Sequence, residues 1–281
     1  MIVLHRSLVA ALLLSVRTAA GAEPEPDCAI VGSLPEVARG PRPTMVVAFG
    51  TGEKLTFSIQ YGLITAGQAT LEIEPDVKVL QNRPTYHLVS QAASSPMFST
   101  FFRVRDRVES CMDTVNLHSV RFEKHLREGD YKKDLFLEFD QERHKVIVDG
   151  KRECDVEPHV QDILSSLYYV RTVPLEVGTS IYVPNHDNGK NYPLEVRVES
   201  RERVTVDAGT FDCLVIEPIL LGEAVFKQNG RIKVWVTDDV LHLPVLLKSK
   251  VFVGAIAGVL THFQLGGRFR DRKPPAMIAA R

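Results

Sequence analysis

The chain has 281 residues, with 34 basic and 35 acidic side chains, a formal net charge of −1 and 44% hydrophobic content. Charge so evenly mixed supplies no overall field to concentrate the protein on phosphate backbones or anionic lipid, which excludes nucleic-acid binding as the default. The apolar content is enough for a sizeable core in one large domain.

Residues 1–22, MIVLHRSLVAALLLSVRTAAGA, place Arg6 ahead of an apolar run from Leu8 to Val16 and end in Ala20-Gly21-Ala22. This is the pattern of a secretory signal peptide cleaved near Ala22. The run is too short to cross a bilayer core of about 30 Å, which takes about 20 apolar residues. Cleavage removes Arg6, Arg17 and no acid, so the net charge moves from −1 to −3. We expect no transmembrane helix in the mature chain and no nucleic-acid partner.

Residues 23–47, rich in proline and glycine, read as a partly ordered lead-in, although Met45 to Phe49 can enter a sheet. From there a period of two repeats. Leu55, Phe57, Ile59 and Tyr61 alternate with polar residues, a turn from Gly62 to Gly67 follows, and Ala69, Leu71 and Ile73 alternate again. Similar runs occur at 86–90, 102–111, 119–127, 131–139 and 144–148. A second group occurs at 180–183, 194–206, 213–221, 231–237, 244–253 and 259–265. Turn-forming pairs such as Asp149-Gly150, Ala208-Gly209 and Asn229-Gly230 separate many of them. About a dozen strands so joined predict one antiparallel β-rich domain over 48–268, with a tail over 269–281. A sheet that long must curl, split or close, so the fold expected is mainly β: a strongly curved sheet or an open or closed barrel-like roll.

The segment 158–171 predicts the principal helix, packed against that sheet or plugging one end. Val160, Ile163, Leu164, Leu167 and Tyr168 form an apolar stripe, Pro158 suits a first turn, and Pro174 ends the helix near Arg171. Asp162, Ser165, Ser166 and Tyr169 form a polar strip with two readings. It lines a ligand site, or Asp162 and Arg171 anchor the helix ends to sheet charges such as Asp106 or Asp238. An early aspartate and a late arginine both suit the helix dipole. The apolar run Val251 to Leu260 reads as two strand ends meeting at a glycine turn, since ten residues cannot span a membrane.

Cys28, Cys111, Cys154 and Cys213 in an exported chain allow two disulfides and three connectivities. Cys111 with Cys154 is preferred, because both flank a run of hairpins in the ordered middle, with Cys28 and Cys213 paired or free. The cysteines lack zinc-knuckle spacing and the histidines are dispersed, so no metal and no cofactor is expected. No Gly-x-Ser-x-Gly elbow occurs, and no catalytic residue is assigned. Trp235, within Lys233-Val234-Trp235-Val236-Thr237, reads as a core tryptophan on a strand.

One series of motifs runs Gly52-Glu53-Lys54-Leu55-Thr56-Phe57, Ala66-Gly67-Gln68-Ala69-Thr70-Leu71 and Phe101-Phe102-Arg103-Val104-Arg105-Asp106. Asp162 to Arg171, Ala208-Gly209-Thr210-Phe211, Val234 to Asp239 and Pro244-Val245 continue it, over roughly 48–265. In order and spacing these motifs resemble a known family, the bacterial domain of unknown function 3108, made of exported envelope proteins. The resemblance implies a Gram-negative envelope protein, periplasmic or secreted, with an antiparallel barrel-like fold, and it implies no reaction.

The leading functional expectation is a non-enzymatic binder of a lipid or acyl chain on the concave face of the sheet. Asp162, Ser165, Tyr168, Tyr169, Arg171, Trp235 and Asp106 are its candidate ligand-binding or anchoring residues. The alternatives are an envelope module with a filled core that binds protein, and a hydrolase acting on an envelope polymer.

Overall fold

A computed structural model describes residues 28, 45–187, 189–220, 232–250 and 255–270; the expected signal peptide and most of the lead-in and tail lie outside the described residues. The first half contains β1 (Lys54–Tyr61), β2 (Ile64–Ile73), β3 (Lys78–Leu80), β4 (Arg83–Ser94), the one-turn helix α1 (Pro96–Ser99), β5 (Arg105–Asp113), β6 (Ser119–Glu128), β7 (Tyr131–Asp140), β8 (Lys145–Val148) and β9 (Arg152–Asp155). The helix α2 (Ile163–Val170) follows. The second half contains β10 (Ser180–Asp187), β11 (Lys190–Val206), β12 (Gly209–Leu220), β13 (Ile232–Thr237), β14 (Pro244–Lys250) and β15 (Ala255–Gln264), and a 3-10 turn at Gly267–Phe269 closes the described chain.

The alternation in sequence becomes the two faces of the strands. On β1, Leu55, Phe57 and Ile59 are buried while Thr56, Ser58 and Gln60 are half-buried, as a pleated strand with one core face requires. The short strands β3 and β9 and the helix α1 escape the sequence pattern, because three or four residues are too few for a periodic signal.

The strands form one antiparallel sheet in the order β10-β11-β12-β13-β14-β15-β1-β2-β4-β5-β6-β7-β8-β9, with β3 paired to β4 off this path. Pairing of β15 with β1 joins the two halves mid-sheet. The sheet is open. Its two free edges, β9 and β10, are consecutive in the sequence, and α2 lies on the connection between them.

The curl carries the β10 edge back against β6 and β7. Gln161 bridges Asn185 of β10 in parallel, Lys124 of β6 reaches Asp187 of β10 at 2.6 Å, and the Phe139 ring of β7 meets His186 edge-on at 6.1 Å. Pro184 fits β10 because the strand is an edge. At the C-terminal side the backbone of Gly266 crosses so close to Gly50 that a Cβ on Gly266 would collide with the Gly50 carbonyl.

Three expectations need correction. The helix starts at Ile163, not Pro158: His159 has φ of 59° and the backbone of Gln161 is committed to β10, so helical hydrogen bonding begins only after Asp162. Its polar strip is not exposed, because Ser165, Ser166 and Tyr169 are all buried while the expected core residue Leu167 is only half-buried. The disulfide joins Cys28 to Cys154, and Cys111 and Cys213 are buried free thiols. Cys111 stands opposite His87 and Arg121 on neighbouring strands, whereas Cys154 lies on the edge strand β9, where the N-terminal lead-in can reach it. Of the run Val251 to Leu260, residues 251–254 lie outside the described residues and the remainder belongs to β15, with Gly258 in mid-strand opposite Ile59.

Candidate functional site

The helix α2 carries most of the candidate residues and is fixed at both ends from the sheet. Asp162 is its N-cap: Oδ1 accepts from Leu164 N and Ser165 N, both at 2.8 Å, and the Ser165 hydroxyl receives the Asp162 amide at 3.0 Å to complete a capping box. The other carboxylate oxygen accepts from Ser110 of β5 at 2.6 Å and Ser119 of β6 at 2.5 Å. Complete burial pushes the Asp162 carboxyl above its ordinary range, and the four donors pull in the opposite direction.

At the other end Arg171 is the C-cap residue and is equally buried. Its guanidinium clamps Glu53 through two bonds of 2.6 and 3.0 Å and donates to the carbonyls of Leu241 and Ala48. Burial alone would lower its pKa, but the adjacent Glu53 carboxylate outweighs it and holds the guanidinium more firmly protonated than usual. The ring of Tyr168 lies beneath this pair, 5.3 Å from the guanidinium and edge-on to Phe49 at 5.1 Å. The Tyr168 hydroxyl is buried with no hydrogen-bond partner among the described residues, and burial raises its pKa.

A polar seam continues from Asp162 along the line where β10 meets β6 and β7. The Gln161 side chain donates to Leu117 O at 2.7 Å; Lys124 and Asp187 form a buried ion pair; His186 Nδ1 faces Asn191 Oδ1 at 2.8 Å. Asn191 in turn donates to Asp155 O of the opposite edge strand at 2.7 Å. Burial depresses the His186 pKa, so the ring is neutral at physiological pH. The side-chain amide of Asn185, 2% exposed, has no hydrogen-bond partner among the described residues.

The remaining candidates lie elsewhere. Asp106 does not anchor α2; it accepts from the amide of Arg127 at 2.7 Å on β6. Asp238 pairs instead with Arg201. Trp235 is buried as expected, with Nε1 donating to Glu202 at 2.9 Å and the Lys248 ammonium 5.3 Å over its ring. Sequence reasoning missed Glu53, Ser110, Ser119, Lys124, Asn185, His186 and Asp187. Glu53 just precedes β1 and the other six are buried polar residues on strands, but nothing local says which distant residue each meets. Among the described residues no group of three His, Cys, Asp or Glu is placed to hold a metal ion, and no helix is long and apolar enough to cross a membrane.

The fold resembles known structures. A crystal structure described as a beta-barrel-like protein of domain of unknown function DUF1849 from Brucella abortus aligns with a TM-score of 0.52 at 9% identity, covering 78% of this chain and 100% of that one. A protein described as exported and of YmcC-like fold from Bacteroides fragilis aligns with a TM-score of 0.36 at 10% identity, covering 79% of this chain and 99% of the other. No curated protein matches the chain. The family model described as "Protein of unknown function (DUF3108)" matches residues 56–261, and the chain belongs to that family.

Proposed function

We propose that this chain is an exported cell-envelope protein that works as a filled-core module, binding through its surface and holding no apolar ligand inside. The observation that carries this reading is the burial of inward side chains. Leu55, Phe57, Leu71, Leu88, Phe122 and Leu137, spread over β1 to β7, are each at most 2% exposed. A void wide enough for an acyl chain would leave solvent-sized area on such side chains, and interiors packed at organic-crystal density leave none.

The carrier alternative requires α2 to leave the concave face. That motion would break the four hydrogen bonds to Asp162 and strip Arg171 from Glu53, leaving buried charges without partners. The hydrolase alternative requires carboxylates facing a cleft. Three buried ones are already committed, Asp162 to hydroxyls and amides, Asp187 to Lys124 and Glu53 to Arg171. Export is supported by the signal-peptide pattern and by the disulfide, a bond that persists in oxidising compartments.

Native mass spectrometry of the protein purified from its own envelope, followed by solvent extraction, tests the reading. The expected mass is that of the polypeptide alone. A stoichiometric lipid or acyl chain released only on denaturation would overturn it.

A further inference from the structure

Ten large hydrophobic side chains stand exposed among the described residues, and they are not evenly spread. Six are valines, of which Val77 and Val79 lie at β3, Val115 in the β5–β6 turn and Val240 in the β13–β14 turn, all at one end of the sheet. The four that are not valine, Leu63 at 104%, Phe101 at 84%, Met97 at 62% and Ile64 at 50% relative exposure, all lie at the opposite end. Two neighbouring chain reversals present them. Leu63 and Ile64 form the tip of the β1–β2 hairpin, and Met97 and Phe101 lie on and just after α1. The reversals are joined: Ser95 N donates to Ala66 O at 2.8 Å, and Gly67 pairs with Ser94.

Basic residues flank these tips. Arg103, Arg105 and Lys132 are exposed, and among the described residues their side chains make no ion pair or hydrogen bond. The ladder places them at the same end, since Arg105 pairs with Ala93, Arg103 O accepts from Gly129 N, and Lys132 lies beside Arg127 on β6. Of the acids here, Asp134 is paired with Arg127, Asp106 and Glu128 are buried, and Asp130 is exposed at the β6–β7 turn.

We propose that this end of the sheet docks on an anionic lipid bilayer, with Leu63, Ile64, Met97 and Phe101 inserted and Arg103, Arg105 and Lys132 at the headgroups. Single apolar side chains projecting from turn tips suit a fluid acyl layer, which closes around each one; a protein partner would have to offer a matching pocket for every tip. Cations beside apolar tips complement the negative surface potential of such a membrane. The chain's overall charge supplies no such attraction, so the preference is local to this end. The proposal rests on the surface-binding reading above and names its partner.

Co-sedimentation of the purified protein with phosphatidylcholine vesicles, with and without phosphatidylglycerol, tests it. The wild type is expected to pellet with the anionic vesicles and less with the neutral ones. Leu63→Ser with Phe101→Ser is expected to weaken binding about tenfold or more, from the apolar area withdrawn. Arg103→Gln, Arg105→Gln and Lys132→Gln together should abolish the preference for phosphatidylglycerol. All five positions are exposed, so the fold is retained and far-ultraviolet circular dichroism checks it. Wild type that stays in the supernatant with both vesicles, or variants that bind as wild type does, overturns the proposal. Self-association lost in the Leu63→Ser, Phe101→Ser variant, without vesicle binding, overturns it in favour of a second copy as occupant. Failure here leaves the filled-core reading standing, whereas a lipid extracted from inside the protein would defeat that reading alone.

Discussion

Arg171 and Glu53 are 118 residues apart in sequence, and both are at most 2% exposed, yet they meet as a two-pronged ion pair with Nη1–Oε1 at 2.6 Å and Nη2–Oε2 at 3.0 Å. The pair ties the C-terminal end of α2 to the residue just ahead of β1, near the middle of the sheet. A planar guanidinium is suited to this geometry, and a lysine would lose one prong and the donors to Ala48 and Leu241.

Breaking the pair from one side should cost far more than removing it whole. Arg171→Met is expected to destabilise by about 3–5 kcal/mol because Glu53 is left buried without a partner. Adding Glu53→Met should recover a large part of that loss. Urea unfolding of both single variants and the double gives the comparison, and simple additivity would count against a coupled pair.

Asp162→Ala removes the N-cap of α2 and the acceptor of two buried serine hydroxyls. The cap is worth about 1 kcal/mol, and two stranded hydroxyls add about 1–3 kcal/mol each. Asp162→Asn keeps one acceptor oxygen and should fall between wild type and alanine. The midpoint of chemical unfolding orders the three proteins.

The His186 pKa is depressed by burial, with its hydrogen bond to Asn191 and the charge of Asp187 opposing. The unfolded chain therefore binds this proton more readily than the folded one below about pH 6.5. The stability it contributes is fully present above that value and is lost as pH falls towards the folded pKa, by at most about 1.4 kcal/mol per pH unit. Melting temperatures between pH 7.5 and 5.5 should decline, and His186→Gln should flatten the decline. An unchanged slope in the variant would assign the acid sensitivity elsewhere.

The Cys28–Cys154 bridge spans a sequence separation of 126 and ties the lead-in to the edge strand β9. In the chain-entropy model, closing so long a loop stabilises by roughly 4–5 kcal/mol, so Cys28→Ser should show a loss of that order. Cys111 and Cys213 are free and buried, with thiols pushed up to about 11 and about 12 by desolvation. Native protein should therefore react slowly with thiol reagents, and denatured, unreduced protein should release two thiols. Rapid labelling of the native state would contradict that burial.

Much of the fold was legible because strand alternation is a local property. Leu55, Phe57 and Ile59 declare the buried face of β1 from their spacing alone, and the turns between hairpins carry glycine and asparagine for steric reasons. The helix was legible at its C-terminal end, where Pro174 dictates a stop, and misread at its start. Asp162 resembles a residue on a helical face until its own side chain is seen capping the first turn. Whether Ser165 and Tyr169 meet solvent or core depends on what covers them, and the tertiary structure covers both while leaving Leu167 half-buried.

The sequence by itself determined that this is an antiparallel β protein of the 3108 family with one principal helix, because periodicity, turn chemistry and the order of motifs all act over a few residues. Only the tertiary structure decided that the sheet stays open, that its edge strand β10 comes to lie against β6 and β7, and that Arg171 finds Glu53 while Cys154 finds Cys28. Those partnerships depend on how far a long sheet twists from one edge to the other, a quantity summed over thirteen strand pairings and written in none of them. The same summation gathers Leu63, Ile64, Met97 and Phe101 at one end, where the sequence shows only two unremarkable turns.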